Sequence, residues 1–120
     1  MTVTLTKSFS FEAAQFLPRF PEGHKCRKMH GHSFVVEVSI TGAVDELTGI
    51  YMDHAEISRA MGPVINELDH ACLNDLPGLE NPTIEVICRW IWNKLKPSLP
   101  GLSEIRLYET ARAWCSYRGE

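Results

Sequence analysis

Apolar and polar residues alternate from Val3 to Leu17, with Leu5, Phe9 and Phe11 on one parity, and a second alternation from Phe34 to Thr41 carries Val36, Val38 and Ile40. A period of two predicts two half-buried strands. The period then changes. Ile57, Met61, Ile65 and Leu68 recur at spacings of three and four, which predicts a helix capped by Asp53. Pro63 falls inside that helix, so a kink or two shorter pieces are expected. Asn81-Pro82-Thr83 opens a second helix, with Asn81 as cap and Pro82 in the first helical position, ending near Lys96 before Pro97. Its apolar stripe is Ile84, Ile87, Ile91 and Leu95, with Trp90 in support. Ile105 to Glu109 and Ala113 to Tyr117 read as two further strands.

The order is therefore ββααββ. It predicts a single α+β domain over residues 1–120, built as two similar halves or as a four-stranded antiparallel sheet with both helices on one face. Such a sheet has two open edges, which other subunits could close. Composition adds exclusions more than identity. With 44% hydrophobic and 22% charged residues the chain is ordinary globular protein, and a net charge of −3 gives no electrostatic reason to expect nucleic acid as a partner. No apolar run approaches the roughly 20 residues that span a bilayer, so no membrane partner is expected. Met1-Thr2-Val3-Thr4 lacks a signal-peptide pattern, and a cytoplasmic location is expected. Cys26, Cys72, Cys88 and Cys115 are widely separated and are expected to be free thiols, Cys88 in the core.

Chemistry concentrates where the long loop from Pro18 to Met29 runs into the second strand. Cys26 lies four residues before His30-Gly31-His32. Side chains two apart on a strand share a face, so both imidazoles could reach one ion, with Gly31 adding no bulk between them. A catalytic zinc commonly takes three protein ligands, so the pair is one short, and His-Gly-His alone also fits a surface turn. Lys25, Arg27 and Lys28 flank the trio and could receive an anionic substrate or form a solvated turn. Asp69-His70, after the first helix, fits an acid/base unit or a polar helix end. Glu109 either faces solvent or offers two oxygens to a heterocycle with adjacent N–H donors.

Taken in order, Phe11-Glu12-Ala13-Ala14, Gly23-His24-Lys25-Cys26, His30-Gly31-His32-Ser33-Phe34, Leu68-Asp69-His70, Leu73-Asn74-Asp75, Glu80-Asn81-Pro82-Thr83 and Glu109-Thr110 resemble the 6-pyruvoyltetrahydropterin synthase family. Gly78 to Thr83 and the ending Tyr117-Arg118-Gly119-Glu120 look most like its bacterial 6-carboxytetrahydropterin synthase (queuosine) branch. The resemblance implies the tunnelling fold (T-fold), with sheets joined into a barrel, commonly a homohexamer of two trimers, and active sites at subunit interfaces. It implies a zinc-dependent lyase on a small-molecule pterin, converting 7,8-dihydroneopterin triphosphate to 6-carboxy-5,6,7,8-tetrahydropterin, acetaldehyde and triphosphate. Cys26, Asp69 and His70 would transfer protons, Glu109 would anchor the pterin, Thr83 and Thr110 would line its pocket, and His30 and His32 would bind zinc. The same residues would serve a sister activity, formation of 6-pyruvoyltetrahydropterin or cleavage of sepiapterin-like compounds.

One position departs from the family pattern. The remaining zinc histidine normally follows Phe-x-Ala-Ala, and here Gln15 stands there. An amide oxygen is a weaker zinc ligand than an imidazole nitrogen. Three outcomes are open: Gln15 ligates through its carbonyl oxygen, His24 replaces it from the preceding loop, or the metal is held weakly and activity is altered or lost. The last leads to a non-catalytic pterin-binding homologue.

Overall fold

A computed structural model describes all residues from Met1 to Glu120. The chain starts with two long antiparallel strands, β1 (Thr2–Gln15) and β2 (His30–Ala43), paired residue for residue from Thr2↔Ala43 to Gln15↔His30. Helix α1 (His54–Leu68) follows, then a two-residue strand β3 (Ala71–Cys72), helix α2 (Ile84–Leu95), and strands β4 (Leu102–Thr110) and β5 (Ala113–Tyr117). The sheet order is β3-β1-β2-β4-β5. The expected four-strand sheet thus has a fifth member. Ala71–Cys72 pairs parallel to Ala13–Ala14 because the chain leaving α1 is drawn along the outer edge of β1, where the His70 N–H donates to the Glu12 carbonyl at 2.5 Å.

Three local expectations change. The second strand begins at His30, four residues before Phe34, because the ladder with β1 continues past the last apolar residue. Helix α1 is a single element that runs through Pro63, whose ring lies on the exposed side; Asp53 caps it, its Oδ1 accepting from the Ala55 N–H at 2.9 Å. The cap of α2 is Thr83 and not Asn81. The Thr83 carbonyl accepts the first helical bond from Ile87, and its hydroxyl accepts from the Val86 N–H at 3.2 Å, so Pro82 precedes the helix.

The covered face of the sheet follows parity. Phe11 and Ala13 on β1, Phe34, Val36, Val38 and Ile40 on β2, and Ile105 and Leu107 on β4 are buried against Ile57, Met61 and Leu68 of α1 and Ile87, Ile91 and Leu95 of α2. Trp92 joins this core, whereas Trp90 lies half-buried over the Pro77–Gly78 turn and donates its Nε1–H to the Pro77 carbonyl at 3.0 Å. Length then decides where the site goes. A 14-residue strand is roughly 46 Å long and a 12-residue helix roughly 18 Å. The helices therefore cannot cover the whole β1–β2 ladder, and the covered-face parity emerges from beneath them at one end.

Phe34 marks the boundary: it is fully buried, stacks on Phe11 with centroids 4.9 Å apart, and meets the His32 ring edge to face at 5.4 Å. Phe34→Ala should lower unfolding free energy by about 3–5 kcal/mol in denaturant titration.

Candidate active site

Beyond Phe34 the same face of the sheet turns from apolar to polar. Gln15 follows Ala13 on β1, His32 and His30 precede Phe34 on β2, and Glu109 follows Leu107 on β4. The fold thus brings three strand ends to one place, and these four side chains line one cleft of about 680 Å³. Cys26, Lys25 and His24 from the loop line it too, with Thr83 at the start of α2 and Thr110 after Glu109. Of the residues expected to transfer protons, hold the pterin or bind metal, only Asp69 and His70 lie elsewhere.

Each side chain has an identifiable support. Gly31 permits the close ladder between the two histidines; a Cβ there would sit 3.1 Å from the Ala13 carbonyl oxygen. The His30 Nδ1 lies 2.8 Å from the Lys28 carbonyl, which can only accept, so Nδ1 carries a proton and the neutral ring has its lone pair on Nε2. The His32 Nε2 is 3.9 Å from the Glu109 Oε2, and the two imidazole rings meet edge to face at 5.2 Å. Cys26 sits in a short 3-10 turn, Lys25–Arg27. The His24 Nδ1 accepts from the Cys26 N–H at 3.1 Å, and the Leu17 N–H donates to the Cys26 carbonyl at 2.8 Å, tying the thiol-bearing residue to the end of β1. Arg27 braces the loop by donating to the Pro18 and Phe20 carbonyls, which leaves Lys25 as the member of the basic cluster in the cleft wall.

Gln15 is 2% exposed, and its Oε1 has no hydrogen-bond partner. An orphaned buried carbonyl costs roughly 1–3 kcal/mol and calls for an explanation. Its Nε2 lies 3.4 Å from the His30 Nε2. Nowhere do three His, Cys, Asp or Glu side chains gather closely enough to hold a metal ion. His24 lines the same cleft, where its ring caps the turn and stacks on Phe20 at 4.4 Å.

Asp69 and His70 form a separate unit at the β1 edge. The Asp69 Oδ2 is 3.0 Å from the His70 Nδ1, and its Oδ1 accepts from the Glu12 N–H at 2.9 Å. These bonds, the Glu12 amide first and His70 second, hold the Asp69 carboxyl below its ordinary range, so it is ionised at neutral pH. His70 has φ +60°, an uncommon conformation for a residue with a Cβ, and its side chain is 78% exposed. It borders a second depression with Glu12, Ala14 and Cys72. Sequence reasoning misses Glu12 as a support because it acts through its backbone, for which residue type carries no signal. Phe20 and Ile84, which also line the cleft, resemble ordinary loop and core residues in sequence.

The remaining thiols carry no such arrangement. All four cysteines are free; Cys88 is buried, and burial, with Cys115 beside it, pushes its thiol well above the usual range. No helix is long and apolar enough to cross a membrane.

Residues 4–120 match the family described as 6-pyruvoyl tetrahydropterin synthase. The chain is 44% identical over 119 residues to the 6-carboxy-5,6,7,8-tetrahydropterin synthase of Synechocystis sp., covering 92% of this chain and 89% of that protein. It is 42% identical over 101 residues to the 6-pyruvoyl tetrahydrobiopterin synthase of Dictyostelium discoideum, covering 80% and 75%. It superposes on the 6-pyruvoyl tetrahydropterin synthase of Caenorhabditis elegans with a TM-score of 0.92 at 26% identity, covering 100% of this chain and 97% of that one.

Proposed function

The chain belongs to the 6-pyruvoyl tetrahydropterin synthase family, and from that premise we propose that it is the lyase that converts 7,8-dihydroneopterin triphosphate and water to 6-carboxy-5,6,7,8-tetrahydropterin, acetaldehyde and triphosphate, in 7-deazaguanine (queuosine) biosynthesis. Its α+β architecture is the tunnelling fold. The observation that carries the reading is the convergence of Cys26, His30, His32 and Glu109, from a loop and two strands, on one cleft of small-molecule size.

Glu109 accepts a pair of N–H bonds from the pterin ring and fixes its side chain toward the imidazole pair, a positioning effect. Thr83 and Thr110 complete the walls around it. Cys26, as thiolate, removes a carbon-bound proton from the substrate side chain. Lys25 meets the triphosphate with positive charge. His30 and His32 would hold zinc, which when bound would supply Lewis-acid stabilisation of the negative charge that develops on the substrate side chain. The Gln15 carboxamide, buried 3.4 Å from the His30 Nε2, is a neutral donor group at the same place.

His70, oriented by ionised Asp69, moves the second proton. Because this pair lies outside its own chain's cleft, it serves the cleft of a neighbouring subunit in a homo-oligomer, a hexamer of two trimers. The open edges at β3 and β5 offer the surfaces for such an assembly.

Purified protein incubated with 7,8-dihydroneopterin triphosphate should yield the carboxypterin and acetaldehyde by mass analysis. A pyruvoyl product would assign the sister activity instead. Intact substrate at saturating zinc would sink both.

A further inference from the structure

We propose that the Gln15 Oε1 is the third protein donor of the metal site, which is therefore built from two imidazoles and one carboxamide and discriminates less strongly for zinc over harder divalent ions. The inference deepens the proposed function and rests on its metal site. Gln15 is almost wholly buried in the ladder position opposite His30, and its amide nitrogen lies 3.4 Å from the His30 Nε2, long for an N–H···N bond, while the other amide atom, Oε1, has no partner. A protonated Nδ1 facing the Lys28 carbonyl leaves the His30 Nε2 as an acceptor. Carboxamide oxygen and nitrogen exchange places by a half-turn at no steric cost. With the oxygen turned inward, two lone pairs face each other 3.4 Å apart, which a cation between them satisfies, and the N–H₂ takes the place the oxygen left. Two donors about 2.0–2.2 Å from a tetrahedral ion lie roughly 3.4 Å from each other.

The residue is also held in place. Asn74 clamps the next residue by accepting from the Phe16 N–H at 3.0 Å and donating to its carbonyl at 2.8 Å, which fixes the end of β1. His24 has no such freedom to ligate: drawing its ring inward would break the cap on Cys26 and the stack on Phe20. Chemistry then sets the consequence. A neutral amide oxygen is a weaker and harder donor than imidazole, so zinc is held less tightly than by three histidines, and its advantage over Mn²⁺ narrows.

The test is competition for Zn²⁺ and for Mn²⁺, each alone, against a chromophoric chelator, with absorption spectra of the Co²⁺ form. Gln15→His should raise zinc affinity by at least about tenfold, widen the zinc-to-manganese ratio and move the Co²⁺ bands. A gain of this kind cannot come from misfolding. Gln15→Leu, which keeps the volume and removes the donor, should lower affinity by at least about tenfold, while His24→Ala leaves it unchanged. Equal affinities in the native protein and in the Gln15→His and Gln15→Leu variants would overturn the proposal, as would a loss confined to His24→Ala. Native protein that binds metal through Gln15 but leaves the triphosphate intact would refute the proposed function alone. Turnover with metal affinity indifferent to the side chain at this position would refute this inference alone.

Discussion

Cys26→Ala and His70→Ala chains, each nearly inactive, should regain activity when unfolded together and allowed to reassemble. Loss of a proton-transferring group typically costs 10²–10⁴-fold, so either substitution alone should lower kcat/KM by roughly that factor. Recovery depends on where the two groups meet. Cys26 lines the cleft with His30 and Glu109, whereas His70 borders a separate depression on the β1 edge. If every site draws its thiol from one subunit and its imidazole from a neighbour, random mixing restores both at about a quarter of sites, and close to a quarter of native activity returns. If each site is built within one chain, every chain carries one defect and mixing restores nothing. Zinc titration of both variants provides the control, since neither residue is placed among the metal donors.

The strands of the site are legible in the sequence for a specific reason, and so is the point where that legibility ends. Period-two alternation locates both long strands, but it runs through apolar residues, so it starts the second strand at Phe34 and not at His30. His32 and His30 keep the same parity as Phe34 and Val36, and the ladder continues through them to Gln15. A strand that passes from core into active site exchanges apolar for chemical residues at constant parity, and hydropathy alone reads that exchange as an ending. The pairing of Ala71–Cys72 with β1 has no signal, because two residues cannot show a period. The second helix cap is ambiguous in sequence because Asn81 and Thr83 are both good caps; the carbonyl that accepts from Ile87 decides for Thr83. The family resemblance groups Cys26, Asp69 and His70 by role, but linear order does not say which groups one chain can bring together. The departure at Gln15, by contrast, is visible at once, and the structure adds its burial, its partner across the ladder and its unpaired oxygen.

Glu109→Gln should lower kcat/KM by roughly 30- to 1,000-fold, corresponding to about 2–4 kcal/mol. The substitution keeps shape and one carbonyl but replaces the second acceptor oxygen with an N–H₂ donor, which opposes a ring N–H instead of accepting from it. That mismatch cannot be solvated away once the ring is bound, so the loss should exceed that of an exposed hydrogen bond. Fluorescence titration with a pterin that lacks the triphosphate should show the affinity falling by a comparable factor. The proximity of the Glu109 Oε2 to the His32 Nε2, at 3.9 Å, supplies a competing role, in which the carboxylate orients a metal-binding imidazole. The two roles separate by readout. An anchor for the pterin predicts lost pterin affinity with zinc affinity retained; an imidazole-orienting carboxylate predicts weakened zinc binding and an unaffected pterin titration. Glu109 shares the Leu107 parity that carries the covered face of β4 into the cleft, so its carboxylate lines the cleft beside the imidazoles. Retention of both affinities in Glu109→Gln would remove it from the site altogether.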